Sequence, residues 1–128
     1  RNGYYRLSQG SAQWRIFLHD QEITQSIAFF DQEGDFFYSL TDFVEILGLV
    51  GGAKKGWSYV YDGHQIEFLP NQSFVQYDDL LIPMKFAILD VNGLPYVSSE
   101  VFSLFGWRVE VDLARQHVVF VQNWGWWL

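Results

Sequence analysis

The chain has 128 residues, of which 49% are hydrophobic, 20% aromatic and none cysteine, so one domain or two small lobes can share a core without disulfides or thiolate metal sites. Its 15 acidic and 8 basic side chains leave a net charge of -7. That balance argues against a phosphate-backbone partner and against docking on an anionic membrane surface, and no apolar run reaches the roughly 18 residues that span a bilayer.

Residues 1–11 carry Arg1-Asn-Gly-Tyr-Tyr-Arg-Leu7, which has no counterpart later in the chain and reads as an N-terminal extension. A first residue of Arg1 rather than Met points to processing or trimming, and a removed export signal is one explanation. Trp14, Ile16 and Leu18 then alternate with other residues and share one face of a strand. His19-Asp20 is a turn between paired strands. The stretch Asp31-Gln-Glu-Gly-Asp35 sets a glycine in a polar cluster, which reads as a hairpin loop.

A helix is expected next. Ser39 stands as its cap with Asp42 three residues on, and Leu40, Phe43, Val44 and Leu47 form one helical stripe. Gly48 falls where the helix ends, a position that favours positive φ. After an insertion, residues 49–56, Asp62-Gly63 makes a favoured hairpin turn between Trp57–Tyr61 and Gln65–Leu69.

The same order then returns. Asp78-Asp79 is a turn, Asn92-Gly93 a tight turn, and Ser98 or Ser99 caps a helix with a stripe of Val101, Leu104 and Phe105 that ends at Gly106. Asp112 to Arg115 turns between Trp107–Val111 and His117–Gln122, with Arg108, Glu110 and Asp112 on a wet face and Val109 and Val111 on a buried one. YSLTDFVEILG from Tyr38 aligns without a gap to YVSSEVFSLFG from Tyr96. The segment from Trp57 to Asp62 resembles that from Trp107 to Asp112, and His64 to Phe68 parallels Gln116 to Phe120. A repeat of this length indicates paired supersecondary units. The expected fold is α+β, with two strand–helix–hairpin units, residues 12–70 and 71–122, sharing one core.

The run Gly93-Leu-Pro-Tyr-Val-Ser-Ser-Glu-Val-Phe-Ser-Leu-Phe-Gly-Trp107, followed by a charged hairpin, resembles the copper amine oxidase N-terminal-like domain, or stalk domain. The resemblance covers roughly residues 12–122. The first copy departs from the pattern, with Phe36-Phe37-Tyr38 in place of a Pro-containing strand and an insertion before its Trp. The resemblance implies an α+β accessory module of exported and wall-associated bacterial proteins. It implies no catalytic residue and no copper, since those belong to the oxidase's catalytic domain. The string nearest to a cofactor tyrosine motif is Gln76-Tyr77-Asp78, which does not match one.

The residues themselves suggest little catalysis. His19, His64 and His117 are too far apart in sequence for a local metal pair, although the repeat puts His64 and His117 on equivalent strands. Asp31, Glu33 and Asp35 lack the loop length and terminal Glu of a calcium site. No nucleophile elbow, phosphate loop or dinucleotide fingerprint is present. No cofactor and no metal are expected.

The aromatic tail, residues 123–128, lies beyond the last repeat strand and contains Trp124, Trp126, Trp127 and Leu128. Three roles stay open for it: a cap on its own core, a contact with another subunit, or a platform for sugar rings. Tryptophan is favoured at interface hot spots. Tyr4, Tyr5 and Leu7 are the matching candidates at the other end, where strand addition to a neighbour is one expectation. The reading is a non-catalytic, secreted or cell-surface module that mediates self-assembly, with a filament subunit as one form of it, or surface display. Its expected partners are copies of itself or another surface protein. The alternative is a carbohydrate- or cell-wall-binding module using the tail, with Tyr59 and Tyr61 as further stacking residues.

Overall fold

The computed structural model describes residues 14–49, 51 and 56–123. The described residues form twelve strands and two short helical segments, and the strands fall in three four-stranded sheets. The α+β expectation is therefore corrected: the fold is β-rich. Helices make up little of it because each repeat spends six short strands for every helical segment. The chain divides into two compact units, one holding residues up to Phe37 and from Ser99 onward, the other Tyr38–Ser98. Each unit thus takes half of each repeat, and the boundary at residues 70 and 71 lies inside the second.

In the first unit, β1 (Arg15–Leu18) and β2 (Gln21–Glu22) form a small hairpin. β3 (Phe29–Gln32) turns through Glu33-Gly34 into β4 (Asp35–Ser39), within which the division between units falls. Near the other end of the chain, β11 (Trp107–Asp112) and β12 (His117–Gln122) form a longer hairpin. Their sheet has the order β11-β12-β1-β2. β1 runs parallel to β12, with Ile16 opposite Val118 and Leu18 opposite Phe120. The Arg15 N–H donates to the Gln116 carbonyl at 3.0 Å and the His19 N–H to the Phe120 carbonyl at 2.8 Å. Ile16, Val118 and Phe120 are fully buried, as alternation along a half-buried sheet requires.

The second unit contains α1 (Leu40–Leu47), β5 (Ser58–Tyr61), β6 (His64–Phe68), β7 (Phe74–Tyr77), β8 (Leu80–Pro83), β9 (Leu89–Val91) and β10 (Leu94–Ser98). Strands β5 to β8 form an antiparallel meander, and β9 pairs with β10. β3, β4, β9 and β10 make up the third sheet. Ser39 caps α1 as its sequence predicts: its Oγ accepts from the Asp42 N–H at 3.1 Å. Gly48 closes the helix at φ 72°, in the left-handed region where a side chain would be strained.

The second helix differs from expectation. Ser99–Phe105 is a 3₁₀ segment of seven residues, where α1 has eight. Its buried residues are Val101, Phe102 and Phe105, and Leu104 lies only partly buried. With three residues per turn, positions 102 and 105 eclipse on one face, so the stripe follows a period of 3.0 rather than 3.6. Phe102 meets Phe120 edge to face at 4.9 Å. Seven residues at ~2.0 Å each span about 14 Å, against about 12 Å for eight residues at ~1.5 Å, so the shorter segment covers no less length. The hairpin turns match as Glu33-Gly34 with Asn92-Gly93, and buried Ser39 matches buried Ser98. The gapless pairing of Tyr38 with Tyr96 is therefore offset by one from the register that the turns define, although both tyrosines are fully buried.

The turns follow their sequences. Glu33-Gly34, Asp62-Gly63 and Asn92-Gly93 each have positive φ at both residues, the geometry of tight hairpins whose twist suits the strands. Asp31 Oδ1 accepts from the Gly34 N–H and Asp90 Oδ1 from the Gly93 N–H, both at 2.8 Å. Val111 corrects the expected buried face of β11: β11 is the outer strand of its sheet, and Val111 near its end and Leu113 in the turn are exposed.

Candidate interaction surface

The residues singled out from sequence as an interface, Trp124, Trp126, Trp127, Leu128, Tyr4, Tyr5 and Leu7, lie outside the described residues. Asn123, which leads into the tail, donates its N–H to the Gly106 carbonyl at 2.7 Å and so prolongs the β11–β12 ladder.

Among the described residues, the feature most suited to a partner is β8. It is the outer strand of the β5-β6-β7-β8 sheet, and its sequence Leu80-Leu-Ile-Pro83 carries no charge. Leu80 is 62% exposed and Leu81 60%. The edge at β11 is different, since Arg108 and Glu110 form an ion pair there at 3.0 Å. Strand edges are normally blunted by such charges, by shortness or by proline.

The backbone of β8 can be followed bond by bond. The Met84 N–H donates to the Ser73 carbonyl at 2.8 Å, and the register continues as Phe74 opposite Pro83, Val75 opposite Ile82 and Gln76 opposite Leu81. Bonded and non-bonded pairs alternate in an antiparallel ladder. Leu80, Ile82 and Met84 therefore bond toward β7, while Leu81 and Pro83 aim their backbone outward. Pro83 has no N–H to offer, which suits an outer strand. The edge presents the Leu81 N–H and the Leu81 and Pro83 carbonyls.

Asp78 fixes the turn that delivers β8. It holds a left-handed φ of 53°, donates its N–H to the Gln65 carbonyl at 2.8 Å and accepts from the Gln65 N–H through Oδ1 at 2.9 Å. Its Oδ2 lies 2.6 Å from His64 Nδ1. The Gln65 N–H first, and His64 second, hold its carboxyl below the usual carboxylate range. His64 also stacks on Tyr77 at 4.8 Å between ring centres. Burial first, then Asp78, Asp62 and Tyr61, push the Tyr77 hydroxyl pKa upward. Tyr61, His64 and Tyr77 thus lie at the end of the sheet that carries the β5–β6 and β7–β8 turns.

The other candidates for chemistry disperse. His19 packs on Trp107 at 5.2 Å and His117 on Phe17 at 4.7 Å. No group of three metal-ligating side chains occurs among the described residues. Tyr59 is removed from any stacking platform, because it is 2% exposed and its hydroxyl donates to the Gly56 carbonyl at 3.1 Å. Sequence reading missed β8 because Leu80 to Pro83 looks like any buried strand. Only the strand order reveals it as an edge.

Comparison with family models, with curated proteins and with solved structures gave no match.

Proposed function

We propose that this chain is a non-catalytic structural module of the stalk-domain kind, secreted or held at a cell surface, that assembles with copies of itself. The observation that carries this reading is the uncharged outer strand β8, with Leu80 and Leu81 both more than half exposed. Strand addition along such an edge supplies main-chain hydrogen bonds and side-chain contacts together. Burying the two leucines would add about 1–2 kcal/mol each. Asp79 precedes β8 and Lys85 follows it. Two β8 strands pairing antiparallel bring acid toward base, and a parallel pair would bring like charges together.

The test replaces Leu81 by lysine. Sedimentation velocity should show the wild type associating and Leu81→Lys remaining a monomer, with unchanged circular dichroism. Equal association by both proteins would remove β8 from the reading.

A second reading has its own observation. Tyr61, His64 and Tyr77 form a partly exposed aromatic group, a surface on which the apolar face of a sugar can stack. Retention of the wild type on cell-wall glycan, with loss in Tyr61→Ala, would favour it.

A further inference from the structure

The two sheets of four that lie wholly within one unit are built from the same parts. β5-β6-β7-β8 joins the closing hairpin of the first repeat to the opening hairpin of the second. β11-β12-β1-β2 joins the closing hairpin of the second repeat to the opening hairpin of the first. The buried positions correspond: Ile66 with Val118, Phe68 with Phe120, and Val75 with Ile16, all 0–1% exposed.

The joints differ in how the chain reaches them. β6 and β7 follow one another directly, separated by residues 69–73, and pair antiparallel. β12 and β1 lie near opposite ends of the described chain and pair parallel. Nothing in the local sequence obliges the β11–β12 hairpin to meet β1 of its own chain. The contact includes four register pairs, the two flanking bonds and the ring contacts of Phe17 with His117 and His19 with Trp107, and a second copy can supply all of them.

We infer that the β1–β12 joint exchanges between copies: the β11–β12 hairpin of one chain completes the β1–β2 sheet of the next. The partner is a second copy of this chain. Such an exchange needs no new surface, since it reuses contacts that the closed chain already makes. It is head-to-tail, so each chain donates at one end and accepts at the other, and the series stays open unless it curves into a ring. The chain would redirect at Ser98–Ser99, where β10 gives way to the 3₁₀ segment. This inference rests on the self-assembly reading and names the segment that carries it. It differs from association through β8.

The chain lacks cysteine, which makes the test direct. Phe17 and Val119 are opposite one another across the joint, and both are partly exposed. The double variant Phe17→Cys, Val119→Cys is oxidised, separated by size, and each fraction run on a non-reducing denaturing gel. Glu67→Cys with Gln76→Cys, opposite one another across β6 and β7, is the control and should cross-link within one chain in every fraction. Exchange predicts that the associated fraction gives a covalent ladder at multiples of the 15.0 kDa chain. An associated fraction that runs as single chains overturns exchange and leaves self-assembly standing. A monomer at every concentration overturns both. Mixing Phe17→Cys protein with Val119→Cys protein gives an independent check that needs no double variant: exchange predicts a mixed covalent dimer, and its absence from an associated sample contradicts exchange.

Discussion

Ile16 lies opposite Val118 in a parallel pair, both fully buried, although they stand near opposite ends of the described chain. The first unit therefore has no contiguous stretch of its own, and its sheet closes only when the two end segments meet. Long-range pairing of this kind is slow to form, because loop-closure entropy is lost before contacts compensate it. The second unit is built from the contiguous run Tyr38–Ser98.

The equivalent phenylalanines test whether both sheets rest on the same core chemistry. Phe68 and Phe120 are 1% and 0% exposed. Phe68→Ala and Phe120→Ala should each cost about 3–5 kcal/mol in denaturant titrations. A loss under about 1 kcal/mol at either position would show that it is not packed as described.

The start of α1 depends on a single hydroxyl. Ser39→Ala removes the acceptor for the Asp42 N–H in a buried site and should lower stability by about 1 kcal/mol. Ser39→Thr should recover part of the loss. If alanine is neutral in the same titration, the cap contributes nothing.

The acid response of the first hairpin follows from Glu22. Arg15 holds its carboxylate through two bonds, Nε to Oε2 at 3.0 Å and Nη2 to Oε1 at 2.6 Å, and Thr24 Oγ1 adds a third at 2.8 Å. The Arg15 bond, then that of Thr24, pulls the Glu22 pKa down to about 2. A carboxyl depressed in the folded state stabilises it fully above the ordinary value of ~4.3 and loses that contribution as pH falls toward about 2. An NMR titration should place the Glu22 midpoint near the lower value in wild type and clearly higher in Arg15→Ala, where the Thr24 bond alone remains. A wild-type midpoint at the ordinary value would mean the pair is open in solution.

Local features were legible because single residues dictate them. Asp62-Gly63 and Asn92-Gly93 announce tight turns through their tolerance of positive φ, and Ser39 and Gly48 mark both ends of a helix. The repeat itself placed β5–β6 against β11–β12 as equivalents. The balance of strand over helix was misjudged, because the motif that attracts attention in each repeat is its one helix. The 3₁₀ winding of Ser99–Phe105 was hidden, since Val101, Leu104 and Phe105 fit a 3.6-residue stripe as readily as Phe102 and Phe105 fit a three-residue one. The parallel β1–β12 pair and the outer position of β8 leave no local trace, because partner choice between distant strands is not written in their periodicity. Tyr59 looked available only because alternation cannot say which face of an isolated hairpin is covered.

The His64–Asp78 contact should matter for presenting β8. Asp78→Asn keeps an acceptor for the Gln65 N–H but removes the charge beside His64. Both groups are partly exposed, so the denaturation midpoint should barely move. Asp78→Ala removes both bonds and should speed amide exchange at Gln65, which hydrogen-exchange NMR can follow. Unchanged protection in Asp78→Ala would mean that the backbone alone fixes the turn.

Self-assembly is tested most directly by multi-angle light scattering of the wild-type chain across a wide concentration range, with electron microscopy of the most concentrated sample. The account predicts a mass that rises with concentration above the 15.0 kDa of one chain. A single monodisperse monomer throughout would contradict it.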